Sequence, residues 1–238
     1  MRIQSYARQH SQQYIRQQPA YVLHTRPYRE SCLLVDILSR DYGRLTLVAK
    51  GARKVAANRR QNTRYLLQPF MPVMVSWSGK RCLKTLIAIE LQSAPIHFSG
   101  KHLYSAFYIN ELLAILSGKE DVGAECYDLY TTAIVDLANT NDIETVLRCF
   151  EFKLLALLGY GIDFCHEAGS GEPLSVRSYY QFVARLGFIE ADAGQLLSMS
   201  TSTPTLSGAT IRCVAVNDLR DPQAVSYTHL TLPTTSRV

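Results

Sequence analysis

The chain has 238 residues, 47% of them hydrophobic, a composition ordinary for one large or two small packed domains that excludes disorder throughout. No run approaches the roughly 20 apolar residues of a membrane-spanning helix, and the Gln- and Arg-rich start has no apolar leader core, so a soluble cytoplasmic protein without a membrane partner is expected. The net charge of +5 conceals an asymmetry: residues 1–90 carry 16 Lys or Arg against only Glu30, Asp36, Asp41 and Glu90, a net +12, whereas residues 91–238 carry a net −7. A basic first part and an acidic second part point to two modules with different partners.

In chain order, residues 1–18 read as a polar N-terminal extension. Then "AYVLHTR" (20–26) and "CLLVDILS" (32–39), separated by "PYRES", read as strands. In the second, Leu33, Val35 and Ile37 alternate with Leu34, Asp36 and Leu38, which sets one wholly apolar face on a core. "RDYGR" supplies a turn, because Gly43 tolerates positive φ, and "RLTLVAKG" resumes the extended pattern. "MPVMVSWSG" (71–79) and "CLKTLIAIEL" (82–91) repeat the arrangement. Five strands within about 75 residues predict a small barrel, for which the five-stranded oligonucleotide-binding (OB) fold is the common form. The expected first folded domain is therefore 19–94.

From Pro95 the period changes, and the fold class becomes α+β, the barrel being followed by a mostly helical domain over 95–225. "HLYSAFYINELLAILSG" (102–118) predicts a helix stopped by Gly118, and 121–138 also reads helical. "NDIETVLRCFEFKLLALLGYG" (141–161) predicts a core helix capped by Asn141, with Val146, Leu147, Phe150, Leu154 and Leu157 on one apolar face before Gly159. Beyond it come a loop, one or two short strands within "RSYYQFVARLGFIEAD", and a last helix over about 206–217. The Thr-rich stretch "SYTHLTLPTTSRV" breaks the pattern, so 226–238 is expected to be a non-native tail. Six cysteines (Cys32, Cys82, Cys126, Cys149, Cys165, Cys213) without paired spacing predict reduced, mostly buried thiols.

The densest cationic stretch is "AKGARKVAANRRQNTR" (49–64), with Lys50, Arg53, Lys54, Arg59, Arg60 and Arg64 and no carboxylate. Arg40, Arg44 and Lys84 add the same sign, which concentrates a field attractive to polyanions. Gly, Ala and Asn between the cations let them follow a phosphate backbone. Of the nearby aromatics Tyr21, Tyr28, Tyr42, Tyr65, Phe70 and Trp77, two at most are expected to stack on unpaired bases, the rest being core. Nucleic-acid binding by the barrel is the implied activity. A metal-dependent nuclease would need convergent carboxylates, which four scattered acids do not provide. No phosphate-binding glycine loop precedes a Lys and Ser/Thr, and Ser170 in "AGSGE" lacks nucleophile-elbow spacing. Adjacent Cys165 and His166, with Cys213, do not make a four-ligand zinc site. No catalytic residue, metal or cofactor is expected.

Three stretches together, "AYVLHTRPYRESCLLVDILSRDYGRLTLVAKGARK", "LYSAFYINELLAIL" and "FEFKLLALLGYGIDFCHEAGSGEP", resemble the RecO family of bacterial DNA repair proteins, from about Ala20 to about Asp221. The resemblance implies an OB barrel and a helical domain, binding of single- and double-stranded DNA, and annealing of complementary strands. It also implies help in loading RecA together with RecR on single strands coated by single-strand-binding protein (SSB), contact with the acidic C-terminal tail of SSB, and a nucleoid-associated location. It makes Lys50, Arg53 and their basic continuation DNA-contact candidates, and leaves Arg148 and Lys153 as candidates to receive an anionic partner tail. Many members carry a four-cysteine zinc site after the "LGY" element; with only Cys165 and His166 there, this chain resembles the branch without the metal. The family's closing basic helix is expected to be missing, which would leave apolar surface of the helical domain exposed. The reading from a different class is an OB-fold RNA-binding accessory protein of transcription or translation, distinguished by recognition of the 2′-hydroxyl.

Overall fold

A computed structural model describes residues 14–53, 63–79, 83–117, 123–183, 186–191 and 205–215. The expectations placed on residues 1–13, on Lys54, Arg59, Arg60, Cys82 and Gly118, on the side chain of Cys213 and on the 226–238 tail lie outside these. By compactness the chain divides into two units, the first ending at Ala138 and the second beginning at Asn139.

The first unit contains the five strands β1 (Tyr14–Tyr28), β2 (Cys32–Ser39), β3 (Gly43–Ala49), β4 (Pro72–Ser78) and β5 (Leu83–Leu91), in the order β1-β2-β3-β5-β4 of a closed barrel. All pairings are antiparallel except β3 with β5. This is the OB-type sheet that the alternating pattern predicted. Closure rests on the length of β1: Tyr14–Tyr21 pairs with β4, and Ala20–Tyr28 pairs with β2. Val22, Val35, Ile37, Leu47, Val73, Val75 and Trp77 fill the interior.

β1 starts at Tyr14, inside the segment read as a polar extension. The polar composition hid a strand that needs only one inward anchor, Ile15, which lies opposite Trp77 and packs on the barrel core. A bulge between Ile15 and Gln18, with Gln17 at φ 47°, turns the Gln17 N–H to Ser76 Oγ at 3.0 Å.

Between β3 and β4 lies the short helix α1 (Thr63–Leu66), and after β5 come α2 (Gly100–Leu116) and α3 (Ala124–Asn139). Both longer helices fall where helices were expected, but α2 buries Ala106, Ile109, Asn110 and Leu113 and leaves Phe107 and Leu116 of its apolar residues exposed; both helices belong to the first compact unit with the barrel. The reason is visible in β1, where Ala20, Tyr21, Val22 and Leu23 are all buried. Ala20 and Val22 join the barrel core, while Tyr21 places its ring 5.4 Å from Tyr127 and 5.0 Å from Tyr130 of α3. The sheet is therefore covered on both sides there, the pattern of a strand that reads as a continuous apolar run. A second bulge, between Val22 and His24, leaves Leu23 out of register with β2; its carbonyl accepts from Asn110 Nδ2 at 2.8 Å, and Asn110 Oδ1 accepts from the Tyr130 hydroxyl at 2.8 Å.

In the second unit, α4 (Ile143–Leu157) is capped by Asp142 and not by Asn141: the Asp142 carboxylate accepts from Thr145 N–H at 3.2 Å. Phe150 and Leu154 are buried as expected, whereas Val146, Leu147 and Leu157 are half-buried and the charged pair Arg148 and Glu151 is buried. A three-stranded sheet follows, with β6 (Tyr179–Val183) between β7 (Gly187–Glu190) and β8 (Thr205–Ser207), and leads directly into α5 (Gly208–Ala215). Leu206, expected to open the last helix, belongs instead to β8. Leu174, Tyr180, Phe188, Leu206 and Ile211 form this unit's small core. The four described thiols are less buried than expected: Cys126 is buried, Cys32 and Cys149 are half-buried and Cys165 is exposed. Among the described residues no helix is long and apolar enough to cross a membrane.

Candidate nucleic-acid interface

The strand register divides the barrel's cations between its two ends. At one end, Tyr28 pairs with Cys32 and Leu33 with Ala49, so the β1–β2 turn sits beside the segment that leaves β3. Gly51, at φ 72°, lets the chain reverse after Lys50, and the buried Ala52 anchors it in the barrel core. Arg53 then ties the segment to the turn twice: its N–H donates to the Ser31 carbonyl at 3.2 Å and its Nη1 to the Arg29 carbonyl at 3.0 Å. Arg26, Arg29, Lys50 and Arg53 are all exposed. The β1–β2 turn itself holds one carboxylate, Glu30, and the Asp36 carboxylate of β2 accepts from the Thr46 hydroxyl.

Arg26 and Arg29 were missed because they lie in or beside "PYRES", which reads as an interruption between strands. The signal that would have found Arg26 is the period of two across the β1–β2 pair, which does not reach Arg29 in the turn. Pro27 opposes the partly buried core residue Leu33, so Arg26 and Tyr28 fall together on the opposite, outer face.

At the other end, the β2–β3 hairpin carries Arg40 and Arg44, and both are engaged within the unit. Arg40 Nε lies 3.6 Å from Asp128 Oδ1 on α3, and Arg44 Nη2 donates to the Ser117 carbonyl at 3.3 Å. Ser117 is the C-terminal cap of α2, where the carbonyl end of a helix favours a cation. Lys84 sits half-buried on β5 opposite Leu47 of β3, and Arg64 is exposed on α1.

The aromatics sort by burial. Tyr21, Phe70 and Trp77 are buried; Phe70 meets Phe107 at 5.0 Å, and Tyr42 stands edge-on to Trp77 at 5.3 Å. Tyr28 is half-buried with the Arg29 guanidinium 5.2 Å over its ring, and Tyr65 is exposed.

In the second unit, the buried Arg148 guanidinium pairs with Glu151, one helical turn along, while Lys153 is exposed. Neither the charge nor the spacing of "RCFEF" marks that pair as buried. Cys165 and His166 sit in a turn built by Asp163, whose carboxylate accepts from Cys165 N–H at 2.7 Å and pairs with His166 Nδ1 at 2.9 Å. Those bonds, that from Cys165 N–H foremost, hold the Asp163 carboxyl below its ordinary pKa. Among the described residues no three His, Cys, Asp or Glu side chains converge on a common point.

A five-stranded OB barrel with exposed cations beside its β1–β2 turn, continued by helices and a small second sheet, belongs to the class of α+β proteins built on an oligonucleotide-binding module. Residues 13–94 match the family described as Recombination protein O N terminal, and residues 97–203 match Recombination protein O C terminal. The DNA repair protein RecO of Vibrio cholerae serotype O1 is 45% identical over 172 residues, 72% of this chain and 70% of the relative. That of Haemophilus influenzae is 43% identical over 172 residues, 72% and 71% of the two chains. That of Actinobacillus succinogenes is 38% identical over 205 residues, 86% and 82%. The chain belongs to the RecO family of DNA repair and recombination proteins.

Proposed function

We propose that this chain is a non-enzymatic recombination mediator that binds single- and double-stranded DNA, anneals complementary strands and, with RecR, helps RecA onto SSB-coated single strands. The observation that carries the reading is the gathering of exposed Arg26, Arg29, Lys50 and Arg53 at one end of the barrel, where Arg53 fixes the two loops to each other. Two polyanionic strands repel; a surface that neutralises phosphates of both lets them approach and pair. Lys54, Arg59, Arg60 and Arg64 continue the same sequence segment and are proposed to extend the contact. Arg40, Arg44 and Lys84 are proposed as peripheral contacts, because the two arginines already serve α2 and α3. On the second module Lys153 is an exposed cation proposed for the acidic SSB tail, and Arg148 would act there only by exchanging Glu151 for it. The cell compartment proposed is the cytoplasm, at the nucleoid.

The test is annealing of complementary oligonucleotides without ATP over a salt series, for the parent and for Arg26, Arg29, Lys50 and Arg53 changed together to Ala. The parent should anneal and weaken steeply with salt. The variant should lose annealing, and its single-strand salt slope should fall by up to about 3 if all four residues contact phosphates. A folded parent that does not anneal, or that prefers RNA, overturns the reading.

A further inference from the structure

Phosphate contacts cannot by themselves favour a single strand over a duplex; that selection needs a group that touches bases which a duplex keeps stacked. Resting on the DNA-binding reading above, we infer that Tyr28 and Arg29 together form the platform on which an unpaired base of single-stranded DNA stacks.

Burial removes most competitors, since Tyr21, Phe70 and Trp77 are covered and Tyr42 is edge-on to Trp77. Tyr65 is exposed, but on a helix of one turn. Tyr14 carries Arg16 at 5.1 Å over its ring, yet it stands opposite Ser78, at the other end of β1 from Lys50 and Arg53. Among the described residues Tyr28 alone combines partial exposure, a guanidinium over its ring and a place among the exposed cations Arg26, Lys50 and Arg53.

The backbone supplies an independent observation. Arg29 sits at φ 52°, in the left-handed region that a long side chain seldom occupies and that glycine takes without strain. A turn selected for stability alone would place glycine there. Arg53 Nη1 holds the Arg29 carbonyl, so the strained residue is fixed from outside and its guanidinium stays against Tyr28. A planar, weakly hydrated cation layered on an aromatic ring is a surface suited to a nucleobase, and each such stack is sequence-tolerant.

The experiment is fluorescence anisotropy of the full chain with a labelled oligothymidine and with a labelled duplex, at one salt concentration and over a salt series. Tyr28→Ala should weaken single-strand binding about 5- to 150-fold with its salt slope unchanged and duplex affinity retained. Tyr28→Phe should bind as the parent does. Arg29→Gly should weaken single-strand binding more than duplex binding while melting no lower than the parent, a combination that neither a purely structural role nor a phosphate contact alone produces. Tyr14→Ala should leave the single-strand to duplex ratio unchanged. If Tyr28→Ala lowers the melting temperature, Arg29→Gly decides the matter. An unchanged ratio in Arg29→Gly, or a Tyr28→Ala loss equal for both DNAs, overturns the platform while leaving the mediator reading intact. A parent that binds neither DNA overturns both.

Discussion

Replacing Asn110 by alanine should destabilise the first unit far more than a loss of one polar side chain from a surface would. Asn110 is 5% exposed and Tyr130 0%, and the amide makes two bonds of 2.8 Å, one to the Leu23 carbonyl and one from the Tyr130 hydroxyl. The β1 bulge has already taken Leu23 out of the β2 register. Asn110→Ala therefore leaves a buried carbonyl and a buried hydroxyl without these partners, at about 1–3 kcal/mol each, or about 2–6 kcal/mol in all. Tyr130→Phe removes the hydroxyl and strands only one lone pair of the amide oxygen, at about 1–2 kcal/mol. In the double variant the orphaned hydroxyl no longer exists, so its cost should fall short of the sum by about 1–2 kcal/mol. Urea unfolding followed by fluorescence reads this directly, because the chain has one tryptophan, Trp77, and it is 1% exposed in the barrel core. An Asn110→Ala loss below about 0.5 kcal/mol, the range of surface changes, or strict additivity in the double variant, would refute the reasoning.

Gly208 is a second sensitive point: a Cβ there would stand 2.0 Å from the Ser175 carbonyl oxygen and 3.2 Å from Tyr180 Cε2, and the backbone contact cannot be relieved by a rotamer change. Gly208→Ala should cost about 1–3 kcal/mol or more and raise hydrogen exchange across β6 and β7, with the Trp77 transition unmoved; unchanged exchange would refute it. Among the four described thiols, alkylation followed by mass spectrometry should modify exposed Cys165 first and Cys126 last, since burial pushes the Cys126 thiol up to about 11 and leaves almost no thiolate near neutral pH. Cys32, directly opposite Tyr28, should react at an intermediate rate that bound single-stranded DNA slows; protection of Cys165 in its place would move the interface elsewhere.

The barrel was legible because Leu33, Val35 and Ile37 obey a period of two and because aliphatic runs such as "AYVL" declare burial on both faces. The first strand's start was not, since Tyr14–Gln18 is held by one inward Ile15 and by bonds to β4 that polar residues make as well as any. The charge asymmetry located the candidate surface to within one segment, but the selection among cations is tertiary. Arg40 and Arg44 find Asp128 and Ser117, distant in sequence, and Arg29 is brought beside Arg53 by a turn that has no periodicity of its own. Likewise, Arg148 and Glu151 look like an ordinary solvated helix pair until the packing around α4 is known.

The double-faced burial of β1 also determines how the molecule can be dissected. The two family matches meet between residues 94 and 97, which invites a cut at that point to isolate the barrel. Such a fragment would uncover Tyr21 and leave the Leu23 carbonyl without its amide, so it should aggregate or bind partners indiscriminately through the stripped face. A fragment extended through α3 keeps that cover, and the smallest self-sufficient carrier of the basic surface is correspondingly about half as long again as the barrel sequence.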